Sequence, residues 1–372
     1  MTMFNNEINI LQNTESVYIY GAGDVAREVA WCLMNKPYEK KIDAFIVSGD
    51  AKDEKLFDAP IVSCNSEMID YTKLVIIAVL EKYVNEIMDI LKVKGAENIM
   101  VLSFESDLWC EVRKKVYFEY VNNNYGFKAK LLDNENLFLK EEKKELNTNV
   151  YVVKSYFDKK LNEKWTDKSW ETDIQVGAAL TDNIICDIRD NLGENISEKN
   201  KKYCELTALY WIWKNTSENF VGICHYRRHF LIDEMIIEKL PYSDVDAVVT
   251  IPMVNIPSVE AMYEKNHDIK DWDIVREALN EISPEYVTDF DNVSKGVFYV
   301  AYNMFIMRRE WLDRYCEWLF PILEYCEQRI GEKEDVYQNR YAGFLAERLF
   351  TIFLLHHKDD MNIVFAEKHF LQ

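Results

Sequence analysis

Residues 219–230 read NFVGICHYRRHF, so that a short apolar run is followed directly by a cationic and aromatic cluster. The run at 220–224 is typical of a buried strand in an α/β sheet, and in open α/β sheets the ligand crevice lies beyond the carboxyl ends of the strands. Paired guanidinium groups bind phosphate bidentately and keep their charge at any working pH. The stretch therefore predicts an anion site, most simply for a diphosphate, and the alternative is that both arginines pair with local carboxylates. Four residues follow the run as candidate ligands: His225, Tyr226, Arg227 and Arg228.

Composition limits the partners that this chain can take. The chain has 372 residues, of which 48% are hydrophobic, so it can bury the cores of two or three domains. Its formal charge of −20 argues against a nucleic-acid partner, because polyanion binding draws on a basic face. The eight cysteines include no C-x-x-C pair, which favours reduced thiols in the cytosol. We expect a soluble, cytoplasmic protein whose only membrane contact is peripheral, at the inner face.

Residues 1–105 are predicted to form an N-terminal Rossmann-like parallel sheet. An apolar strand at 16–20 leads into Gly21 and Gly23 and then into a helical pattern, and further strands are predicted at 41–48, 73–80 and 98–102. Such a glycine turn lets the backbone approach a phosphate at a helix N-terminus; the alternative is that it only packs helix on strand. The turn resembles the nucleotide-binding-like domain of bacterial sugar-modifying acyltransferases and related polysaccharide enzymes.

The remainder of the chain divides into a connector and a second domain. Residues 106–148 are polar and charge-rich, and they predict a connector with one helix at 108–120. The second domain, 149–372, is predicted to begin with a strand at 149–157 and to end with a helix at 340–357.

Five phrases of the second domain resemble one known family. They read IQVGAALTD, ENISEKNKKYCELTALYWIWKN, VGICHYRRHF, NMFIMRREWLDRYCEWLFPIL and YAGFLAERL. The family consists of bacterial capsular and exopolysaccharide biosynthesis proteins, long catalogued as a domain of unknown function and regarded as glycosyltransferases. The resemblance implies a C-terminal GT-A-like α/β domain. It also implies transfer of a hexose from a nucleotide sugar, with UDP-galactose in pyranose or furanose form as the expected donor, to a lipid-linked or oligosaccharide acceptor.

Metal dependence is the main alternative within this interpretation. In many GT-A enzymes an Asp-x-Asp after the central strand binds Mn²⁺ or Mg²⁺, which neutralises the leaving diphosphate. Here the central strand ends in HYRR, and cationic side chains can stabilise the same charge. We therefore expect a reaction without a metal; if a metal is bound, Asp244 and Asp246 are the first pair to consider.

Two further groups of residues are candidate donor ligands. A glycine between small residues after a strand allows close approach of a base or ribose, although packing of strand on helix explains it equally well. That group is Val176, Gly177 and Ala178. The second group lies at a helix entrance, where capping alone would account for it: Asn195, Ser197 and Asn200.

An inverting transfer needs a carboxylate or histidine that takes the proton of the acceptor hydroxyl. Glu347, in GFLAERL, lies early in a late helix, where inverting GT-A enzymes carry their base; an ion pair with Arg348 or Arg340 is the alternative. His267 and Asp268, at the start of a predicted amphipathic helix, are the second choice as base or as acceptor ligands.

Two other classes of function compete with the transferase. One is a non-catalytic nucleotide- or sugar-binding subunit of a polysaccharide assembly, and the other is an NAD-linked enzyme that uses the turn at Gly21 and Gly23. Neither explains two arginines after the central strand together with a carboxylate on a late helix.

Overall fold

The computed structural model describes residues 4–51, 54–124, 129–133, 137, 146–166 and 168–371. The chain divides into two compact units, Met1–Lys128 with Val254–Ile256 and Ala129–Met253 with Pro257–Gln372. The helix that the sequence predicts within the connector belongs to the first of these units. Residues 125–128, 134–136 and 138–145 of the predicted connector lie outside the described residues.

The first unit is built on a six-stranded sheet in the spatial order β3-β4-β2-β1-β5-β6. All neighbouring strands are parallel except β3 and β4, which form an antiparallel hairpin. Tyr20, Ile46, Val75 and Leu91 are among the buried side chains of its core. In chain order its elements are α1 (Asn5–Asn13), β1 (Ser16–Tyr20), α2 (Asp24–Met34), β2 (Lys41–Val47), β3 (Lys55–Leu56), β4 (Ala59–Ser63), β5 (Val75–Ile77), α3 (Val84–Val93), β6 (Ile99–Val101) and α4 (Asp107–Asn124).

The predicted glycine turn lies between β1 and α2. Gly21 has φ +122°, and a Cβ there would lie 2.6 Å from the carbonyl oxygen of Ala78, so only glycine fits. Gly23 is the N-cap of α2 and is not crowded. Close packing of the turn explains Gly21, and a phosphate-binding role for the turn stays a prediction.

The chain from residue 146 onward carries a nine-stranded mixed sheet. Seven of its strands follow the spatial order β16-β12-β15-β10-β7-β8-β9, and β11 pairs with both β10 and β17. The elements are β7 (Thr148–Lys154), β8 (Glu171–Gln175), β9 (Ile188–Arg189), α5 (Asn200–Tyr203), α6 (Leu206–Asn215), β10 (Phe220–His225), β11 (Arg228–Phe230), α7 (Glu234–Lys239), β12 (Ala247–Thr250), β13 (Met253–Val254), α8 (Val259–Asn266), α9 (Ile269–Ile282), α10 (Val287–Lys295), β14 (Phe298–Tyr299), β15 (Phe305–Arg308), α11 (Arg309–Ile330), α12 (Tyr341–His356), β16 (Ile363–Ala366) and β17 (Lys368–Phe370).

The central strand of this sheet is β10, as the apolar run predicts. It lies between β7, which is parallel to it, and β15, which is antiparallel. A Cβ on Gly222 would lie 2.9 Å from side chains or backbone of both neighbours, so the glycine allows the three strands to pack. Val153 of β7 is in register with His225 of β10. The carboxyl ends of both strands therefore meet at one edge of the sheet.

The α/β fold class is confirmed, and one prediction about its end is wrong. The sequence predicts that a helix is the last element, but the short strands β16 and β17 follow α12. Both strands have only three or four residues, too few to show a clear period. Among the described residues, no helix is long and apolar enough to cross a bilayer.

Candidate functional site

A cavity of about 630 Å³ opens where the carboxyl ends of β7 and β10 meet. This is the edge at which α/β sheets bind their ligands. Six of the ten predicted donor-binding residues line it: Val176, Asn200, His225, Tyr226, Arg227 and Arg228. The other lining residues are Val153, Ser155, Phe157, Asp158, Lys201, Cys204, Glu205, Lys333, Val336, Asn339 and Arg340.

Positive charge prevails in this pocket, although the whole chain is acidic. Among the lining residues that the structure describes, five side chains are cationic, and only Asp158 and Glu205 are acidic. Lys333 is neutralised in part, because its Nζ lies 2.5 Å from Asp271 and 3.6 Å from Asp268. The remaining positive charge comes from Arg227 and Arg228, which follow the central strand, and from Lys201 and Arg340 in two other segments. The pocket is therefore suited to an anion.

Arg227 and Arg228 are held by aromatic rings at the tight turn between β10 and β11. Arg227 lies over the rings of Tyr226 and Phe370, at 5.3 Å from each centroid. Arg228 lies 4.3 Å from the ring centroid of Tyr302 and 4.9 Å from that of Phe370. Such contacts restrict the orientation of a guanidinium group and leave its positive charge available to a ligand.

The alternative for Arg227, a local ion pair, is not what the geometry shows. Within the described part of the chain, Arg227 forms no ion pair, and its buried Nε has no hydrogen-bond partner. The nearest acidic influence is Asp158, whose pKa is raised by burial and lowered to a smaller extent by Arg227. Asp158 accepts instead from the backbone N–H of Ser155, at 2.6 Å. An unpartnered buried guanidinium N–H in a cavity is a donor ready for a ligand.

His225 lines the pocket as a neutral side chain. Its Nε2 lies 2.5 Å from the carbonyl oxygen of Tyr302, to which the ring N–H donates. Burial lowers the pKa of His225, and the positive charge of Arg228 lowers it further, while Glu205 opposes both. The imidazole is therefore neutral at physiological pH and fixes the position of the turn at Tyr302.

Glu205 is the acidic side chain that sequence reasoning missed. It lines the pocket and its Oε1 accepts from Nδ2 of Asn303 at 2.6 Å. It lies at the N-cap of α6, directly after Cys204, whose φ is +50°. Glu205 lies in the sequence YCELT, where the hydrophobic residues that begin with Tyr203 and Leu206 have a helical period. That pattern predicts a helix and does not indicate a functional role for the glutamate.

Glu347, the predicted base, lies near the pocket without lining it. Its Oε1 accepts from the backbone N–H of Tyr302 at 2.8 Å, and its Oε2 lies 2.7 Å from the guanidinium of Arg348. Burial raises the pKa of Glu347, Arg348 lowers it, and the charge of Glu205 raises it. The ion pair with Arg348 that the sequence offers as an alternative is therefore present.

The Val176–Gly177–Ala178 segment is held in place by a buried carboxylate. Asp190, fully buried, accepts from the backbone N–H groups of Gly177 at 2.8 Å and Ala178 at 3.1 Å. Gly177 has φ +63°, and a Cβ on it would lie 2.7 Å from Oδ1 of Asn200. These two backbone donors are occupied, so of the three residues only Val176 faces the pocket.

The predicted group at the helix entrance takes mainly capping and bridging roles. Ser197 donates to Asp190 at 2.5 Å, and Asn195 accepts from the backbone N–H of Ser197 at 3.2 Å. Asn200 donates to the carbonyl oxygen of Cys204 at 2.7 Å and also lines the pocket. Only Asn200 of the three is placed to contact a ligand there.

His267 and Asp268 lie outside the pocket lining. Asp268 caps α9 by accepting from the backbone N–H of Lys270 at 3.1 Å. His267 stacks on Phe344, with centroids 4.1 Å apart, and burial lowers its pKa to about 4. Both residues thus have clear structural partners.

Asp244 and Asp246 lie at the opposite edge of the sheet. Arg308 binds Asp246 at 3.2 Å and is in register with Phe220, the first residue of β10, whereas the arginine pair follows its last residue. The length of β10 separates the two edges by about 16 Å. A metal held by these aspartates would not reach an anion bound by Arg227 and Arg228.

A second group with metal-ligand chemistry is buried beside the arginines. Glu171, Cys224 and His229 have candidate ligand atoms within 4.8 Å of one another. The Oε1 atom of Glu171 already lies 2.8 Å from Nδ1 of His229, and its Oε2 accepts from the indole N–H of Trp165 at 2.8 Å. The hydrogen bonds account for this group without an ion.

The fold and the pocket together define an α/β protein with an anion site beyond its central parallel strands. The DUF4422 family, described as a domain of unknown function, matches residues 156–358, which is more than half of the chain. The chain therefore belongs to this family. No curated protein matches it.

One solved structure offers a comparison with a protein of stated activity. The chain is similar to the apo structure of WbbM, a bifunctional glycosyltransferase, with a TM-score of 0.55 and 26% sequence identity. The similarity covers 61% of this chain and 45% of that chain, so the chain matches less than half the length of WbbM.

Proposed function

We propose that this protein is a glycosyltransferase that moves a hexose from a nucleoside diphosphate donor to a growing capsular polysaccharide or exopolysaccharide. The observation that carries the proposal is the cationic pocket at the carboxyl ends of β7 and β10, which Arg227 and Arg228 help to line. Membership of the DUF4422 family and the similarity to the glycosyltransferase WbbM support the same class of reaction.

The arginine pair suits the chemistry of a departing diphosphate. When the bond between the anomeric carbon and the donor oxygen breaks, negative charge grows on the leaving nucleoside diphosphate, and groups that stabilise this charge lower the barrier. The guanidinium groups of Arg227 and Arg228 are fixed by Tyr226, Tyr302 and Phe370. Fixed donors need no reorganisation as the charge develops, so they stabilise the transition state more than mobile ones do.

A resident metal ion is not needed for this arrangement. Divalent cations serve other nucleotide-dependent transferases by neutralising the same diphosphate. Here the carboxylate of Asp246 binds Arg308 and accepts from the backbone N–H of Asn362, far from the arginine pair. The side-chain amide of Asn362 donates to the backbone carbonyl oxygen of Asp244. We therefore propose transfer that proceeds without Mn²⁺ or Mg²⁺.

The donor and the acceptor are proposed by class. A UDP-hexose is the expected donor, with galactose in pyranose or furanose form as the sugar, and the acceptor is a lipid-linked or free oligosaccharide. Inversion at the anomeric carbon is proposed, because the pocket supplies a carboxylate that can take the acceptor proton.

Calorimetric titration with nucleotide sugars tests the proposal. UDP-glucose, UDP-galactose and UDP-galactofuranose are titrated into the protein in EDTA, and release of UDP is followed for each. We expect at least one donor to bind and to be hydrolysed slowly with water as acceptor. Arg227→Ala and Arg228→Ala should each weaken binding about 10- to 100-fold, since each removes charge-assisted hydrogen bonds.

The matched control is Arg276→Ala, which removes an arginine that pairs with Asp291 at the surface and lies outside the pocket lining. It should leave donor binding unchanged. Donor binding without any turnover would favour the non-catalytic sugar-binding subunit. If NAD(H) binds and no nucleotide sugar does, the transferase proposal is wrong.

A further inference from the structure

We propose that Glu205 is the general base that accepts the proton of the acceptor hydroxyl, and that Asn303 is the positioning residue that holds its carboxylate. The inference rests on the proposed glycosyl transfer and adds the identity of its base. Among the described residues that line the pocket, Glu205 is one of two acidic side chains, and the other, Asp158, accepts from the backbone N–H of Ser155.

The backbone of Glu205 is fixed on both sides. Its carbonyl oxygen accepts from the N–H groups of Ala208 and Leu209 at 3.0 and 3.2 Å, which starts α6. The preceding carbonyl, that of Cys204, accepts from Asn200 at 2.7 Å and from Thr207 at 3.1 Å. The side chain therefore projects into the pocket from a rigid point, as a base must if it is to meet a bound hydroxyl.

The carboxylate of Glu205 has one oxygen held and one available. Its Oε1 accepts from Nδ2 of Asn303 at 2.6 Å. Within the described residues no hydrogen bond or ion pair engages Oε2. Glu347 differs in this respect, because its two oxygens accept from Tyr302 and Arg348 and it does not line the pocket. Of the two carboxylates, only Glu205 can receive a proton from a ligand in the pocket without first losing a partner.

Asn303 belongs to a strained turn that the surrounding site maintains. Tyr302 and Asn303 have φ values of +77° and +49°, a conformation that residues other than glycine adopt only at a cost in free energy. The turn persists because the backbone of Tyr302 is bonded by Glu347 and His225, and because Nδ2 of Asn303 also donates to the carbonyl oxygen of Gly343 at 3.2 Å. In this strained conformation the side-chain amide of Asn303 lies within hydrogen-bond distance of the carboxylate of Glu205.

The acceptor hydroxyl gives its proton to Oε2 of Glu205, and the freed electron pair of its oxygen forms the new bond to the anomeric carbon. The bond between that carbon and the diphosphate oxygen breaks, and its electron pair leaves with the nucleoside diphosphate against Arg227 and Arg228. Glu205 then returns its proton to water. In slow donor hydrolysis, water takes the place of the acceptor.

Variants at Glu205 test the assignment through kinetics and binding measured on the same full-length protein. Glu205→Gln keeps the shape and can still accept from Asn303, so the donor Kd should stay within about threefold while kcat for UDP release falls about 100-fold or more. Glu198→Gln, at an exposed position that is not in the pocket, is the matched control and should leave both unchanged. If Glu205→Gln unfolds, Glu205→Asp is used, and its kcat should fall while its donor Kd holds.

A comparison of kcat with the donor Kd separates the positioning role of Asn303 from a structural one. Asn303→Ala removes the hydrogen-bond donor to Oε1 of Glu205, so kcat for UDP release should fall about tenfold or more while the donor Kd stays within about threefold. A merely structural role would weaken donor binding together with kcat.

Each further outcome decides one proposal. If the wild-type protein releases UDP and Glu205→Gln does so equally well, or if Glu347→Gln alone abolishes turnover, the assignment of Glu205 is wrong and the transferase stands. If kcat and the affinity for the donor fall together in Asn303→Ala, the positioning role is wrong. If the wild-type protein neither binds nor hydrolyses any of the three donors, the proposed function itself fails.

Discussion

Arg227 and Arg228 are adjacent in sequence, and each is supported by a different set of rings. Tyr226 supports Arg227, Tyr302 supports Arg228, and Phe370 contacts both. The sequence alone predicts the two cations and their place after the strand. It cannot show that Phe370 reaches them, because that contact depends on the pairing of β11 with β17 at the far end of the chain.

His267, the second choice as base from the sequence, has structural partners in the fold, and its role as a base stays a prediction. Its ring stacks on Phe344, and burial lowers its pKa to about 4, so it stays neutral in the folded protein through the pH range in which an exposed histidine becomes charged. Between pH 6.5 and 4 the unfolded chain therefore binds a proton at this position that the folded chain does not. The free energy of unfolding falls as the pH drops through this window.

We expect His267→Phe to lose less stability in acid than the wild type does. Each unit of difference between the two pKa values is worth about 1.4 kcal/mol, and solvent screening reduces this at a partly exposed site. The loss between pH 7 and pH 4.5 should thus be smaller in the variant by about 1–2 kcal/mol. Urea unfolding at both pH values measures it, and equal losses would contradict the stated pKa.

At the scale of elements, Asp190 joins three segments that the sequence separates. It accepts from the backbone at Gly177 and Ala178, from Ser197 at 2.5 Å and from Thr207 of α6 at 2.6 Å. These segments form one wall of the pocket through Val176 and Asn200. The backbone of the predicted nucleotide-binding segment, Val176–Gly177–Ala178, is thus held by Asp190, which no local sequence pattern identifies.

Asp190→Ala should lower the free energy of unfolding by about 3 kcal/mol or more, because it leaves several buried donors without an acceptor. Donor binding should weaken with it, since the wall loses its support. Asp187→Ala, at an exposed position three residues earlier, is the control and should change stability by less than about 0.5 kcal/mol. Chemical denaturation of both variants makes the comparison, and a similar small effect at both sites would contradict the role given to Asp190.

Elements with a strong local signal were predictable, and those defined by distant contacts were not. The run at 220–224 and the helical pattern at 266–282 predict β10 and α9. For residues 297–330 the sequence predicts one strand that runs into a long helix, whereas the structure has β14, the strained turn at Tyr302 and Asn303, and then β15 before the helix. The turn is fixed by Glu205 and Glu347, which are distant in sequence, so no local period could indicate it.

At the scale of the whole molecule, a cationic pocket lies in a chain whose formal charge is −20. Exposed acidic groups elsewhere repel a polyanion, while a small anion can reach the arginine pair. This distribution supports the proposed nucleotide donor over a nucleic acid as the ligand.

Salt should therefore weaken the binding of UDP, because it screens the attraction between the diphosphate and the arginine pair. Raising NaCl from 50 to 500 mM shortens the screening length, and we expect the Kd of UDP to rise about 3- to 10-fold. Uridine, which lacks the diphosphate, is the control ligand and should respond little. Calorimetric titration of both provides the comparison, and a UDP affinity that does not depend on salt would contradict a cationic diphosphate site.

A crystal structure of the protein with UDP tests most directly whether guanidinium groups bind the diphosphate. We predict diphosphate oxygens within about 3 Å of guanidinium nitrogens of both Arg227 and Arg228, in crystals grown with EDTA as well as with Mn²⁺. A diphosphate bound through a metal ion at Asp244 and Asp246, or one that contacts neither arginine, would contradict the account.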